Sequence, residues 1–127
     1  MKFTLGETGA FEADFEYGKM NISSNTGIGF RPVQLLVSSL AGCSGGLLKN
    51  ILEKKRITFD SIAIEANIER NEKEANKVTK VELHFIVFGK DLSQPQAQKS
   101  LDLAVKNCAM IQSVNRAIEV VETIEVR

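Results

Sequence analysis

Two cysteines are the residues of this chain whose side chains could carry out redox chemistry. Cys43 lies in residues 38–46, where small residues interrupt a strongly apolar segment, and Cys108 follows Asn107 at the expected start of a helix. A thiolate attacks peroxides and disulfides, whereas an un-ionised thiol in apolar surroundings behaves as a small hydrophobic side chain. The residue types alone leave two interpretations open: a redox pair if the fold brings the sulfurs together, or two buried core residues if it does not.

The local settings of the two thiols differ. A thiol with a pKa near 8.5 is only about 3% thiolate at pH 7, and the N-terminus of a helix would lower the pKa of Cys108. Cys43 lies in the middle of a helix, where burial raises the pKa, so it needs a nearby cation or hydrogen-bond donor. Gly42, Gly45 and Gly46 each cost about 1 kcal/mol in a helix interior. They indicate either the close approach of another backbone or room for a substrate or partner sulfur beside Cys43.

Composition limits the function classes. The 127 residues predict a single domain over residues 1–127, and the net charge of +0, without a basic stripe, argues against nucleic-acid binding. There is no N-terminal signal segment and no run of about 20 apolar residues, so we expect a cytoplasmic protein that does not contact a membrane. In the cytoplasm paired thiols are typical of redox or metal chemistry. The single histidine, His84, has no cysteine pair at metal-binding spacing nearby, so we expect no metal and no cofactor.

Hydrophobic periodicity predicts an α+β fold with antiparallel sheet on one side and helices on the other. The expected strands are 11–17, 20–23, 62–69, 80–87 and 118–126, and the expected helices are 32–56, 91–106 with Ser93 as N-cap, and 108–117 with Asn107 as N-cap. No charged residue occurs in 35–48, so the long helix should be buried nearly all round. So small a domain cannot bury it alone, which predicts a homodimer.

Both cysteine segments resemble motifs of the OsmC/Ohr family of osmotically inducible and organic hydroperoxide resistance proteins. Residues 31–43 (RPVQLLVSSLAGC) match a proline, a Gln or acidic residue, Leu-Leu, small residues and the first cysteine at the family's spacing, and residues 106–111 (KNCAMI) are similar to the second cysteine motif. The resemblance implies an OsmC-like domain with antiparallel sheets packed around a long central helix, in an intertwined dimer.

The resemblance also implies an activity. Cys43 would be the peroxidatic thiol and Cys108 the resolving thiol of a (hydro)peroxide reductase that serves oxidative-stress defence. Its partners would be an organic hydroperoxide or another small apolar ligand, and an external dithiol reductant. The alternative is a non-catalytic OsmC-like dimer that binds a small molecule, with the cysteines lining an interface pocket.

The chain departs from the family pattern at the residues that activate the first thiolate. The family's glutamate corresponds to Val33 and its arginine to Ser23, while the proline after the second cysteine is Ala109. Arg31 is the cation nearest to Pro32 in the sequence, and Gln34 is the neutral residue that follows Val33. We name both as supporting residues of the predicted site.

Overall fold

The computed structural model describes residues 1–127. The elements, in chain order, are β1 (Thr4–Leu5), β2 (Phe11–Asp14), β3 (Lys19–Ile22), α1 (Pro32–Lys54), β4 (Ser61–Asn71), β5 (Lys77–Phe88), α2 (Gln94–Asn107), α3 (Ala109–Val114) and β6 (Glu119–Val126). The predicted α+β class is confirmed, with two sheets and one long helix. The chain forms two compact units, Met1–Ser38 and Ser39–Arg127, and the prediction of a single domain stays a prediction.

The first unit contains a three-stranded antiparallel sheet in the order β1-β2-β3. The alternation of apolar and polar residues predicted a strand over 11–17, but β2 ends three residues earlier, at Asp14. Phe15 and Gly18 exchange two backbone hydrogen bonds, of 3.0 and 3.1 Å, and so close a turn immediately after Asp14. Tyr17 therefore lies fully exposed in that turn instead of facing the sheet.

The long helix α1 begins at Pro32 as predicted and ends two residues earlier than predicted. Proline suits the first helical position because its missing N–H would have no partner there, and Arg56, with φ of 57°, lies just beyond the end. Within the single chain only one stripe of α1 is buried, not the whole circumference that we expected. The stripe consists of every fourth residue: Leu40, Ser44, Leu48 and Leu52.

By length and composition α1 could also cross a membrane, since its mean hydropathy is 1.4 over the most apolar window. A core helix passes the same test, and two contacts indicate that role. The hydroxyl of Ser44 donates to the backbone oxygen of Leu40 at 2.7 Å, which satisfies the buried stripe's polar group. A Cβ on Gly45 would lie only 2.7 Å from Cδ1 of Ile64, so α1 lies directly against β4.

The second unit contains the sheet β4-β5-β6. The pairing of β4 with β5 is antiparallel as predicted, but β6 runs parallel to β5, so this sheet is mixed and not purely antiparallel. Helices α2 and α3 form the connection from β5 to β6, and a crossover of this kind returns the chain to the starting end of the neighbouring strand. Ser93 caps α2 in a capping box, as predicted, which places the first residue of α2 at Gln94 and not at residue 91.

Candidate functional site

The fold of the second unit brings the two cysteines into contact. A hydrogen bond between the two thiols is the main cause of the lowered pKa of Cys43 and a further cause of the raised pKa of Cys108, and both cysteines are free thiols. Cys43 is half-buried on α1, whereas Cys108 is fully buried. The two thiols are close enough to shift each other's pKa, a proximity that their spacing in the sequence left open.

Cys108 lies at the junction of α2 and α3 and is itself the N-cap of α3. We expected Asn107 to be the cap, but Asn107 is the last residue of α2, and its side-chain amide donates to the backbone oxygen of Leu103 at 2.8 Å. Cys108 is extended, with φ of −77° and ψ of 106°, and its sulfur accepts the N–H of Ile111 at 3.5 Å. The sulfur thus takes the place that a serine or aspartate oxygen usually has at an N-cap.

The surroundings of Cys43 lower its pKa from the ordinary thiol value. The largest cause is the hydrogen bond from Cys108; the backbone N–H of Met110 also lowers the pKa, burial raises it, and the N–H of Ala109 adds a smaller lowering. All the groups that lower the pKa belong to the segment 108–110. Of the two possibilities predicted for Cys43, a cation or a hydrogen-bond donor, the groups that lower its pKa are donors: a thiol and main-chain N–H groups.

The pKa of Cys108 is shifted in the opposite direction. Burial is the main cause of the rise, and the hydrogen bond to Cys43 raises the pKa further, while the N–H groups of Ile111 and Met110 oppose the shift. Cys43 therefore ionises first, and Cys108 remains the protonated donor. The local pattern had favoured Cys108 as the more easily ionised thiol, because a helix start is visible in the sequence whereas complete burial is not.

The predicted supporting residues, Arg31 and Gln34, belong to the first unit. Both are exposed, and Oε1 of Gln34 accepts the backbone N–H of Arg31 at 3.3 Å at the beginning of α1. This hydrogen bond lies within the first turn at the beginning of α1. That Arg31 and Gln34 lie beside Cys43 stays a prediction.

The glycines of α1 have two different surroundings. Gly45 packs against β4, whereas a Cβ on Gly42 or Gly46 would meet no atom within 4 Å. These two line a mainly apolar groove of about 370 Å³ between α1 and the following strand, together with side chains that include Lys49, Phe59, Ile62 and Ile64. Neither cysteine lines this groove, so the open space beside the glycines is not space beside the Cys43 sulfur.

His84 takes part in a polar cluster on the sheet. Its Nδ1 lies 2.6 Å from Oγ1 of Thr123, and its Nε2 lies 2.8 Å from Oε1 of Glu125, which also pairs with Arg127. No group of three or more His, Cys, Asp or Glu side chains is arranged to hold a metal ion. His84 therefore makes hydrogen bonds between neighbouring strands.

Comparison with known proteins identifies the relatives of this chain. The sequence model of the family described as OsmC-like protein matches residues 24–123. Protein YhfA of Escherichia coli K12 is 29% identical over 96 residues, which cover 75% of this chain and 72% of YhfA.

Two solved structures illustrate the similarity of fold. A hypothetical protein from Aquifex aeolicus VF5 superposes with a TM-score of 0.90 at 22% identity, over 99% of this chain and 93% of that chain. An organic hydroperoxide resistance protein OsmC from Legionella pneumophila has a TM-score of 0.73 at 17% identity, over 98% of this chain and 94% of that chain. The family match spans most of the sequence and contains both cysteines, and on that basis the chain belongs to the OsmC-like protein family.

Proposed function

We propose that this protein is a thiol-dependent hydroperoxide reductase of oxidative-stress defence, in which Cys43 reacts first and Cys108 resolves the product. The observation that carries the proposal is the hydrogen bond from the buried Cys108 thiol to the half-buried Cys43 sulfur. Membership of the OsmC-like family, which includes proteins named for hydroperoxide resistance, supports the choice of substrate class.

The proposed cycle has three steps. The Cys43 thiolate attacks the O–O bond of an organic hydroperoxide; an S–O bond forms, the O–O bond breaks, and the alkoxide takes a proton and leaves as an alcohol. Cys108 then attacks the sulfenic acid of Cys43, so that an S–S bond forms and water leaves. Finally an external dithiol reduces this disulfide by two electrons and becomes a disulfide itself.

Consumption of an organic hydroperoxide by the purified protein, with dithiothreitol as reductant, tests this proposal. We expect catalytic turnover by the wild type and none by Cys43→Ser. Cys108→Ser should still reduce hydroperoxide in a first turnover, and mass spectrometry should then find the added oxygen on Cys43. Unchanged turnover in Cys43→Ser would contradict the proposed chemistry.

We also propose that Arg31 and Gln34 support the reaction. They would replace the arginine and glutamate of the family pattern, whose positions are occupied here by Ser23 and Val33. Arg31→Met keeps a flexible, unbranched side chain but removes the guanidinium and its charge. If Arg31 stabilises the thiolate, this variant should alkylate at Cys43 more slowly at neutral pH. A pH profile of alkylation identical to the wild type would remove Arg31 from the site.

We propose that the functional unit is a homodimer. In the single chain only 22% of the most apolar window of α1 is buried, and most of its other apolar side chains are half-buried. Gly42 and Gly46 have open space above them, so nothing within the chain offsets their cost in the helix. A second copy that packs its backbone on this face would account for both observations, and a two-fold arrangement would cover both helices at once.

Sedimentation equilibrium tests the dimer. Gly46→Leu places an apolar side chain in the groove, and its Cβ meets no atom of its own chain within 4 Å, so it should leave the fold intact but weaken the dimer by at least tenfold in Kd. Asn50→Leu is the matched control, because Asn50 is exposed on the same helix and does not line the groove. A wild-type protein that sediments as a monomer at micromolar concentration would exclude the proposal.

The apolar groove favours one competing function, a non-catalytic dimer that binds a small apolar molecule. The rate of reaction of the thiols with a disulfide reagent distinguishes the two. If both cysteines react no faster than a model peptide thiol at pH 7, the reductase proposal fails and binding remains.

A further inference from the structure

We propose that Lys55 is a positioning residue for the two thiols, because its hydrogen bond to Ser100 holds α2 in place relative to α1. Helix α1 carries Cys43, and Cys108 follows α2 directly. The inference rests on the proposed function, since it concerns the placement of the two groups to which that function assigns the reaction. Lys55 takes no part in the chemistry itself.

Lys55 directly follows α1 and connects it to α2. Its backbone N–H donates to the oxygen of Ile51 at 3.0 Å, so the residue continues the hydrogen bonding of the last turn of α1. Its Nζ donates to Oγ of Ser100 at 3.0 Å, and that hydroxyl donates in turn to the backbone oxygen of Gln96 at 2.8 Å. Two hydrogen bonds in series therefore fix the end of α1 to the backbone of α2.

The acceptor of this bond is a buried group. Ser100 is 0% exposed, and its hydroxyl has a lone pair to offer after its own proton has gone to Gln96. The other fully buried polar residue, Ser44, bonds only within its own helix. Ser100 is thus the buried polar side chain by which one helix is tied to the other.

The stiffness of α2 transmits the position of Ser100 to Cys108. Neither proline nor glycine occurs in α2 between these two residues, so this part of the helix bends only gently. At 1.5 Å per residue the distance along the axis is about 12 Å. A change in the place of Ser100 therefore changes the approach of Cys108 to Cys43, which the opposite pKa shifts of the two thiols report.

The charge of Lys55 is too far from Cys43 to act on it directly in solution. The two residues are about 18 Å apart along α1, whereas charges are screened over about 8 Å at physiological ionic strength. Lys54 is exposed, carries the same charge on the neighbouring residue, and is not bonded to α2. Lys54→Met is therefore the matched control for Lys55→Met, because it removes a charge and keeps the bond to Ser100.

The first test is the equilibrium between the dithiol protein and its Cys43–Cys108 disulfide in a dithiothreitol redox buffer. Two electrons and two protons pass from the protein dithiol to oxidised dithiothreitol, which becomes the reduced form. We expect Lys55→Met and Ser100→Ala each to lower the equilibrium constant for the disulfide about threefold to tenfold, and the double variant to lower it no further. Lys54→Met should match the wild type. Wild-type equilibrium constants in folded Lys55→Met and Ser100→Ala proteins overturn the inference.

The second test is the pH profile of iodoacetamide alkylation of Cys43, which requires no disulfide. Lys55→Met should raise the apparent pKa of Cys43, by less than Cys108→Ala does, because Cys108 is then less well placed to donate to it. In the Cys108→Ala background the same substitution should have no effect. A shift that persists without Cys108, or the absence of a shift when Cys108 is present, overturns the inference.

Hydroperoxide turnover is a separate readout from both tests. An inactive wild type in which Lys55→Met changes the disulfide equilibrium and the alkylation profile as expected refutes the proposed reductase and leaves the positioning role of Lys55 standing. An active wild type in which Lys55→Met changes neither quantity supports the reductase and refutes the positioning role.

Discussion

Replacing Cys108 by alanine or by serine separates the two tasks that we assign to it. Alanine removes both the hydrogen bond to Cys43 and the ability to form a disulfide. Serine removes the disulfide but keeps an O–H that can donate to Cys43, and it remains a good N-cap for the Ile111 N–H. The difference between the two variants in Cys43 reactivity therefore reports the hydrogen bond to Cys43, and urea unfolding measures the lost cap of α3 separately.

The expected size follows from the donors that remain. A thiol is a weak donor, so its net contribution to the thiolate is about 1 kcal/mol, below the roughly 1.5–3 kcal/mol that is typical of hydrogen bonds to charged groups. Loss of this hydrogen bond in Cys108→Ala should therefore raise the pKa of Cys43. Alkylation below the pKa should then be about fivefold slower than in the wild type. The donors from the backbone remain, so the pKa should stay below that of a free thiol.

Alkylation of Cys43 across the pH range is the assay, with urea unfolding as the control for stability. Cys108→Ala also leaves the Ile111 N–H without its acceptor, which should lower the free energy of unfolding by about 1 kcal/mol. Cys108→Ser should match the wild type in alkylation while being unable to form the disulfide. If the alanine variant alkylates at the wild-type rate and is folded, Cys108 does not activate Cys43, and our reasoning about the site is wrong.

Three further predictions concern stability. A Cβ on Gly45 would lie 2.7 Å from Cδ1 of Ile64, the movable end of that side chain, whereas a Cβ on Gly46 meets no atom within 4 Å. Gly46→Ala should therefore stabilise the isolated chain by about 1 kcal/mol in urea unfolding, and Gly45→Ala should gain less because Ile64 must move. The pKa of Glu122 is raised mainly by burial, so the stability associated with this group is greatest below its unfolded pKa and is lost as the pH rises through its folded pKa. Glu122→Gln should therefore raise the melting temperature at pH 7 and reduce the gain that the wild type shows on acidification. Oxidation of the two cysteines closes a long loop, and the oxidised protein should unfold at higher urea than the reduced one, by about 2–4 kcal/mol, a difference that Cys108→Ser should abolish.

The parts of the fold that were predictable depend on local signals. Pro32 and the apolar spacing after it defined α1 to within two residues, and Ser93 identified the cap of α2. The end of β2 was not predictable from alternation, because the turn between Phe15 and Gly18 interrupts the ladder while the hydrophobic pattern continues. The parallel direction of β6 depends on the path of two helices, which no local pattern records.

The two cysteines of the candidate site could be predicted from the sequence, but the directions and causes of their pKa shifts could not. Both cysteines were identifiable from the sequence, and their approach to each other depends on the packing of the second unit, which spacing alone does not encode. Local pattern alone favoured Cys108 as the more easily ionised thiol, because its helix start is visible in the sequence whereas its complete burial is not; the pKa shifts of the two thiols are in the opposite direction. Main-chain donors are equally invisible, because every residue except proline carries an N–H.

The opposite pKa shifts of the two thiols have a consequence for the reductive half of the proposed cycle. An external dithiol can reach the half-buried Cys43 sulfur more easily than the fully buried Cys108 sulfur. Attack on Cys43 would expel Cys108 as the leaving thiolate, and its raised pKa makes it the poorer leaving group. Attack on Cys108 would expel the better leaving group, but it requires the segment around α3 to open. One route has a poor leaving group and the other requires the protein to open, so we expect reduction of the disulfide to limit the cycle. Steady-state turnover should then rise with the dithiol concentration and be nearly independent of hydroperoxide concentration. A turnover rate that follows the hydroperoxide instead would show that the first attack by Cys43 is limiting, and that the donors around it activate it less than we infer.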